Sequence, residues 1–168
     1  MKRRNKRGQM KLSFGMIFSI ILIVVFLAFA IYAIMKFLDI QKGVQVGQFS
    51  NDLQTDIDKM WKGSQGSIEQ TYRIPSGVDY VCLADFNSPK KGINMDKCSD
   101  LRKVFYEFEN LVFYPIGSGA GLDSIVVRHI NLSNTVSSEN PLCFPNEDGK
   151  VKMIIKMNPG DTLVTVSK

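Results

Sequence analysis

The sequence predicts an α+β protein in which one long N-terminal helix, a membrane span continuing into an amphipathic half, packs on a mainly antiparallel β-sheet head. Three observations carry this expectation. Residues 12–35 contain no charged side chain. Val46, Phe49, Leu53, Ile57 and Met60 recur at steps of three and four, the period of a helix with one apolar face. Beyond Ser67 the chain becomes a series of short β-branched and aromatic segments separated by glycine- and proline-containing turns.

The charge-free run from Leu12 to Met35 is bracketed by Lys11 and Lys36. At a rise of about 1.5 Å per residue it makes a helix about 36 Å long, enough to cross a hydrocarbon core of about 30 Å with some tilt. A secretory leader has a shorter apolar region followed by a small-residue cleavage site, which the stretch Ile31 to Phe37 does not offer. Lys2, Arg3, Arg4, Lys6, Arg7 and Lys11 precede the run with no acidic residue among them, whereas the whole chain carries a formal charge of +5. The basicity therefore sits beside the membrane rather than on the head, which argues against a nucleic-acid partner. By the positive-inside rule the basic end is expected in the cytoplasm and the head outside the cell.

The amphipathic half covers 36–63. Its stripe Val46, Phe49, Leu53, Ile57, Met60 and Trp61 is expected to pack the helix on the head, with Ile57, Met60 and Trp61 as the deepest contacts. Asp52, Asp56, Asp58 and Lys59 fall off that stripe. Gly43 and Gly47 each weaken the helix by about 1 kcal/mol relative to alanine and are candidate kink points.

Six segments have strand length and composition: 68–74, 78–86, 110–116, 123–132, 150–157 and 162–167. Asn158-Pro159-Gly160-Asp161 places proline and glycine where a type II turn needs them, so the last two segments should form a hairpin. A helix interrupts the series, with Ser99 able to cap it and Leu101, Val104, Phe105 and Phe108 on one face. Of the three cysteines, Cys82 and Cys143 have apolar neighbours and are the expected disulfide. Cys82 with Cys98, whose neighbours are polar, is the alternative.

Chemistry-bearing motifs are sparse. The sole histidine, His129, has no nucleophile at a telling spacing, so no catalytic residue is assigned and no enzymatic activity is expected. Three cysteines and one histidine lack zinc-ligand spacing, so no metal and no cofactor is expected. Gly117-Ser118-Gly119-Ala120-Gly121 is glycine-rich, but a strand-like segment follows it where a phosphate-binding loop would open a helix; it reads as a flexible loop. Asn146-Glu147-Asp148-Gly149-Lys150 lacks the full calcium-loop pattern and reads as a hairpin tip. Asn131-Leu132-Ser133 matches the N-glycosylation acceptor, which makes Asn131 a candidate modification site. Gly15 and Ser19, four residues apart in the span, would permit close helix packing.

The basic opening that ends in Arg7-Gly8, with Gln9 next and an uninterrupted apolar helix after it, resembles the class III signal sequences of archaeal type IV pilin-like proteins. The resemblance at motif level covers residues 2–35; the long helix with a β-rich head matches in outline over the whole chain. It implies that a prepilin peptidase cuts between Gly8 and Gln9 on the cytoplasmic side, after which the apolar helices bundle into a filament core. Two departures stand out. Many such subunits carry glutamate at the fifth mature position, where this chain has Ser13, and Lys11 places a positive charge at the start of the apolar stretch.

The division expected from all this is a basic cytoplasmic segment or leader at 1–11, a transmembrane helix at 12–35, an amphipathic helix at 36–63 and an extracytoplasmic β-rich head at 64–168. The function expected is that of a single-span, membrane-anchored cell-surface structural protein, in its specific form a pilin-like filament subunit. The alternative is a membrane-anchored binding or accessory module of a larger complex; an anchored extracellular enzyme ranks last. The partners expected are the lipid bilayer, other copies of the chain through the transmembrane helix, or another membrane protein.

Overall fold

The computed structural model describes residues 14–63, 65–94, 96, 100–101 and 108–168. The candidate leader junction Gly8–Gln9, the segment 1–11, Leu12, Cys98 and the helix positions Ser99, Val104 and Phe105 lie outside the described residues. The expected α+β arrangement is present: one long helix and antiparallel sheets. The chain divides after Leu38 into two compact units.

Helix α1 (Phe14–Gly63) is 50 residues long and runs unbroken through Gly43 and Gly47. In the first unit its side chains from Phe14 to Leu38 are all exposed, whatever direction they face. The most apolar 18-residue window has a mean hydropathy of 3.0 with none of it buried, so the helix is long and apolar enough to cross a membrane.

The second unit, Asp39–Lys168, is the head. In chain order it contains β1 (Gly66–Arg73), β2 (Tyr80–Leu83), β3 (Leu111–Tyr114), β4 (Ser124–Ile125), the one-turn helix α2 (Leu132–Thr135), β5 (Leu142–Pro145), β6 (Lys150–Met157) and β7 (Thr165–Ser167). The strands form two antiparallel sheets rather than one, ordered β1-β6-β7 and β4-β3-β2-β5. The β6–β7 hairpin turns at 158–161 as expected: the Asp161 N–H donates to the Asn158 carbonyl at 3.0 Å, and Gly160 takes φ 90°.

Alternation decides which residues meet. In the first sheet Tyr72, opposite Val151, faces inward with Met153, Ile155 and Met157, while Lys150 and Lys152 face solvent. In the second, Val81, Leu83, Leu111, Phe113, Leu142 and Phe144 join the same core. Their alternate neighbours Cys82, Val112 and Cys143 form a second, smaller cluster with Leu101 on the other face. Cys82 and Cys143 are directly paired across β2 and β5, and they are disulfide-bonded. Closing a loop across 61 residues stabilises the head by about 4 kcal/mol in the chain-entropy picture. Leu101 is buried as expected, but Phe108, placed on the same face by its spacing, is exposed.

The α1 stripe lies in the main core: Val46, Phe49, Leu53, Ile57 and Met60 are all buried. Phe49 joins both sheets, with edge-to-face contacts to Tyr72 of β1 (5.5 Å) and Phe113 of β3 (5.7 Å). Fully burying side chains of this size contributes about 1.5–3 kcal/mol each before ordering entropy, so the stripe is the main tie between helix and sheets.

Two expectations need correction and one is met. The strand expected over 123–132 is two residues long. The hairpin tip expected at Asn146–Lys150 is present: Glu147 and Lys150 exchange backbone hydrogen bonds of 2.8 and 3.0 Å around Asp148 and Gly149, both at positive φ, where the chain passes from the sheet of β5 to that of β6. A further strand, β5, lies in the segment Leu142–Pro145, which was read as a cysteine context and not as a strand.

Candidate functional site

The shortened strand explains the most organised polar cluster of the head. Beyond Ile125 the chain leaves β3, crosses toward the other sheet, and must satisfy its backbone on the way. Two side-chain amides do this. Asn110 Nδ2 donates to the Val127 carbonyl at 2.8 Å while its Oδ1 accepts from the Val127 N–H at 2.7 Å. Gln54 of α1 repeats the pattern one residue later: its Oε1 accepts from the Arg128 N–H at 2.9 Å and its Nε2 donates to the Arg128 carbonyl at 3.3 Å. Each amide imitates a strand neighbour. The backbone then joins the far sheet, where Val164 N–H donates to His129 O and Asn131 N–H donates to Val164 O.

His129 sits at that corner with φ 64°, a left-handed conformation uncommon outside glycine and asparagine. The turn delivers its ring to α1. The imidazole Nδ1 lies 2.9 Å from Asp58 Oδ1, and its face stacks on Trp61 with centroids 3.9 Å apart and 3° between planes. Gln54, Asp58 and Trp61 follow one another at steps of four and three, so one edge of the helix carries the whole clasp. Trp61 Nε1 completes it by donating to the Thr162 carbonyl at 3.1 Å. The hydrogen bond from His129 holds the Asp58 carboxyl below its ordinary value; burial opposes the shift, and the Gln54 hydrogen bond reinforces it.

Trp61 therefore differs from its expected role. It is 37% exposed and covers the clasp from the solvent side, whereas the deepest stripe residues are Val46, Leu53 and Ile57. Its indole N–H needs an acceptor and finds one at the rim, which is why the purely apolar residues go deeper. On the far side of the stripe, Tyr72 is buried and its hydroxyl donates to Asp56 at 3.1 Å. Burial first, then the charge and hydrogen bond of Asp56, push the Tyr72 phenol far above its usual range.

The other candidates are placed as follows. Asn131 is half-buried and caps α2, its Oδ1 accepting from the Asn134 N–H at 3.1 Å. The glycine-rich segment 115–122 is a pair of hydrogen-bonded turns, Ser118 N–H to Pro115 O and Leu122 N–H to Gly119 O, with Asp123 Oδ1 accepting from the Gly119 N–H. A Cβ at Gly119 would stand 2.7 Å from the Leu122 carbonyl, so only glycine fits there. Among the described residues, no three His, Cys, Asp or Glu side chains cluster to hold a metal ion.

Asn140, which the sequence reading did not single out, is fully buried and pins the 85–91 loop: its amide bonds the Asp85 N–H and the Asp85 and Pro89 carbonyls. An open cavity of about 430 Å³ is lined by Ser76, Asp79, Tyr80, Asn146 and Asp148, and neither His129 nor Asp58 belongs to it.

An imidazole bonded to a carboxylate can in principle relay a proton, but here one ring face is covered by indole, and among the described residues no hydroxyl or thiol is hydrogen-bonded to the other nitrogen. The cluster works as a fastener between α1 and the chain that links the two sheets. No known protein family, curated protein or solved structure matches the chain.

Proposed function

We propose that the protein is a single-span, membrane-anchored cell-surface structural protein, with its basic end in the cytoplasm and its head outside. The observation that carries this reading is the exposure of α1 from Phe14 to Leu38 on every side, at a hydropathy no water-facing helix sustains. Such a rod needs lipid or other apolar helices around it. The six basic residues ahead of it support the orientation, and the Cys82–Cys143 bond fits a head that folds in an oxidising compartment.

In its specific form the proposal is a pilin-like subunit, released from a leader between Gly8 and Gln9 and assembled laterally through the span. What supports it is the Arg7-Gly8-Gln9 opening together with a continuous helix whose second half is the spine of the head. The role is structural rather than catalytic, because His129 is committed to the clasp. A retained anchor for an accessory module is the second reading. It is favoured by Ser13 and Lys11, which leave a mature amine and an ammonium at the membrane without the compensating carboxylate.

Intact-mass and N-terminal analysis of the protein extracted from its native membrane separates the two. A chain beginning at Gln9 supports the subunit. Retention of Lys2 to Gly8 in every molecule rules out processing and leaves the anchored module.

A further inference from the structure

A sheet can grow only at its edges, and the head has four: β1 and β7 in one sheet, β4 and β5 in the other. β4 and β7 are two and three residues long, and β5 follows Pro141 closely and ends in Pro145. Short strands and prolines blunt an edge. β1 is eight residues long and contains no proline.

One hydrogen bond shows which backbone groups of β1 are unused. The Ile74 N–H donates to the Gly149 carbonyl at 3.0 Å, continuing the β1–β6 register. Hydrogen-bonding residues alternate along an antiparallel strand, so Tyr72, Gln70 and Ile68 also turn their backbone toward β6, while Arg73, Thr71, Glu69 and Ser67 turn theirs away. Among the described residues, none of those outward groups is hydrogen-bonded.

Beside this edge α1 forms a wall. Two cavities of about 290 and 210 Å³ lie between helix and strand and share Asp52, Thr71 and Tyr72. Asp56 is bonded to the Tyr72 hydroxyl and to Lys59, whereas Asp52 is exposed and has no ion-pair partner among the described residues. On the other face of β1, Glu69 and Arg73 are exposed, and Arg73 stands across from Lys150. All of these residues belong to the head, so nothing here depends on the apolar stretch of α1.

We propose that the outer edge of β1 is a docking site for an extended segment of a second protein, which pairs antiparallel with residues 67–73 and fills the trough along α1. Charge sets the chemistry of that segment. Opposite Arg73 it carries an acid and opposite Glu69 a base, both on the outer face. Opposite Tyr72 its side chain turns inward and is basic, against Asp52. A second copy of β1 would match the outer face, Glu69 against Arg73, but would bring its own Asp52 and Asp56 to the trough. A separate segment with a base at that position is the better complement.

The test titrates the full chain, in detergent micelles, into the fluorescent peptide Ac-TVEKTTKVT-amide, whose Glu falls opposite Arg73, first Lys opposite Tyr72 and second Lys opposite Glu69. Fluorescence anisotropy should saturate. N-methylation of the central Thr, whose N–H would face β1, should weaken binding about tenfold, and N-methylation of the first Lys, whose N–H would face away, less than about twofold. Equal effects of the two methyl groups, or no saturable binding, overturn the proposal.

Two variants check the edge from the protein side. Thr71→Pro removes an N–H that β6 does not use, so it should abolish binding while the head keeps its melting temperature. Arg73→Glu should weaken binding several-fold, and a peptide with Lys in place of Glu should restore it. Failure of that exchange counts against the stated register. A dimer in sedimentation that Thr71→Pro disrupts would make a second copy the occupant and overturn the separate partner.

Discussion

The stretches of α1 before and after Leu38 are made of the same backbone and differ in what surrounds them. From Phe14 to Leu38 large apolar residues point in every direction and none is buried; from Asp39 to Gly63 the apolar residues Val46, Phe49, Leu53, Ile57 and Met60 form one buried stripe packed on two sheets, while Ile40, Val44 and Trp61 stay exposed. Exposure of a large apolar residue in the first stretch is what the proposed lipid surroundings would permit. At a position of the buried stripe it would be a packing defect. One amino acid placed in both therefore obeys two rules, and phenylalanine makes the contrast testable.

Phe49→Ala should have the largest effect. Phe49 is buried between Tyr72 and Phe113, and truncating a core phenylalanine costs about 3–5 kcal/mol, a fall in melting temperature on the order of 10 °C for a head of this size. Phe26→Ala removes the same atoms from a side chain that is 67% exposed, and should leave the thermal unfolding of the head unchanged. Circular dichroism melts of both variants in the same detergent decide it. Equal losses would mean that the two stretches are not distinct environments.

The complementary substitution is Val25→Arg. At the centre of a lipid-embedded helix an arginine costs about 2.5–3.5 kcal/mol of insertion free energy. The variant should shift from the carbonate-resistant membrane fraction toward the soluble one, while the head keeps its melting temperature. Unchanged membrane retention would argue that this stretch meets something other than lipid.

The same contrast shows what was legible in the sequence. The long apolar helix and the stripe were, because composition and the 3.6 period depend on nothing distant. So were five of the seven strands, the Asn158–Asp161 turn and the Cys82–Cys143 pairing. The fate of 123–132 was not. Its β-branched residues satisfy a strand template, but strand length is decided by partners, and past Ile125 those partners are the Asn110 and Gln54 side chains. No local pattern announces that an amide 74 residues away will stand in for a neighbouring strand. The clasp was hidden for the same reason: it requires His129 to take a left-handed φ, and nothing in IVVRHINL signals that. Trp61 was counted in the stripe by spacing alone, and its need for a hydrogen-bond acceptor moved it to the rim.

Trp61→Ala tests that relocation with a smaller expected loss. It removes the stack on His129 and the hydrogen bond to Thr162 O, together about 1–2 kcal/mol, whereas Trp61→Phe keeps the stack and should recover part of the loss. Differential scanning calorimetry on the two variants measures the difference. A loss as large as that of Phe49→Ala would return Trp61 to the core.

The smallest effect is electrostatic, and it belongs to the second stretch alone. Asp58 has its pKa lowered from 3.8 in the folded head, mainly by the hydrogen bond from His129. A carboxyl with a depressed folded pKa binds fewer protons folded than unfolded. Its contribution to stability is therefore complete above the unfolded value and is lost as pH falls through the lowered one. The loss should show as a decline in melting temperature below about pH 4 that is absent in Asp58→Asn, which retains a hydrogen-bonding side chain without the titration. Both side chains are about one-third exposed, so solvent screens the pair. If Asp58→Asn reproduces the whole acid profile of the natural chain, the clasp is held by the indole stack and the Gln54 amide, and the ion pair adds nothing to them.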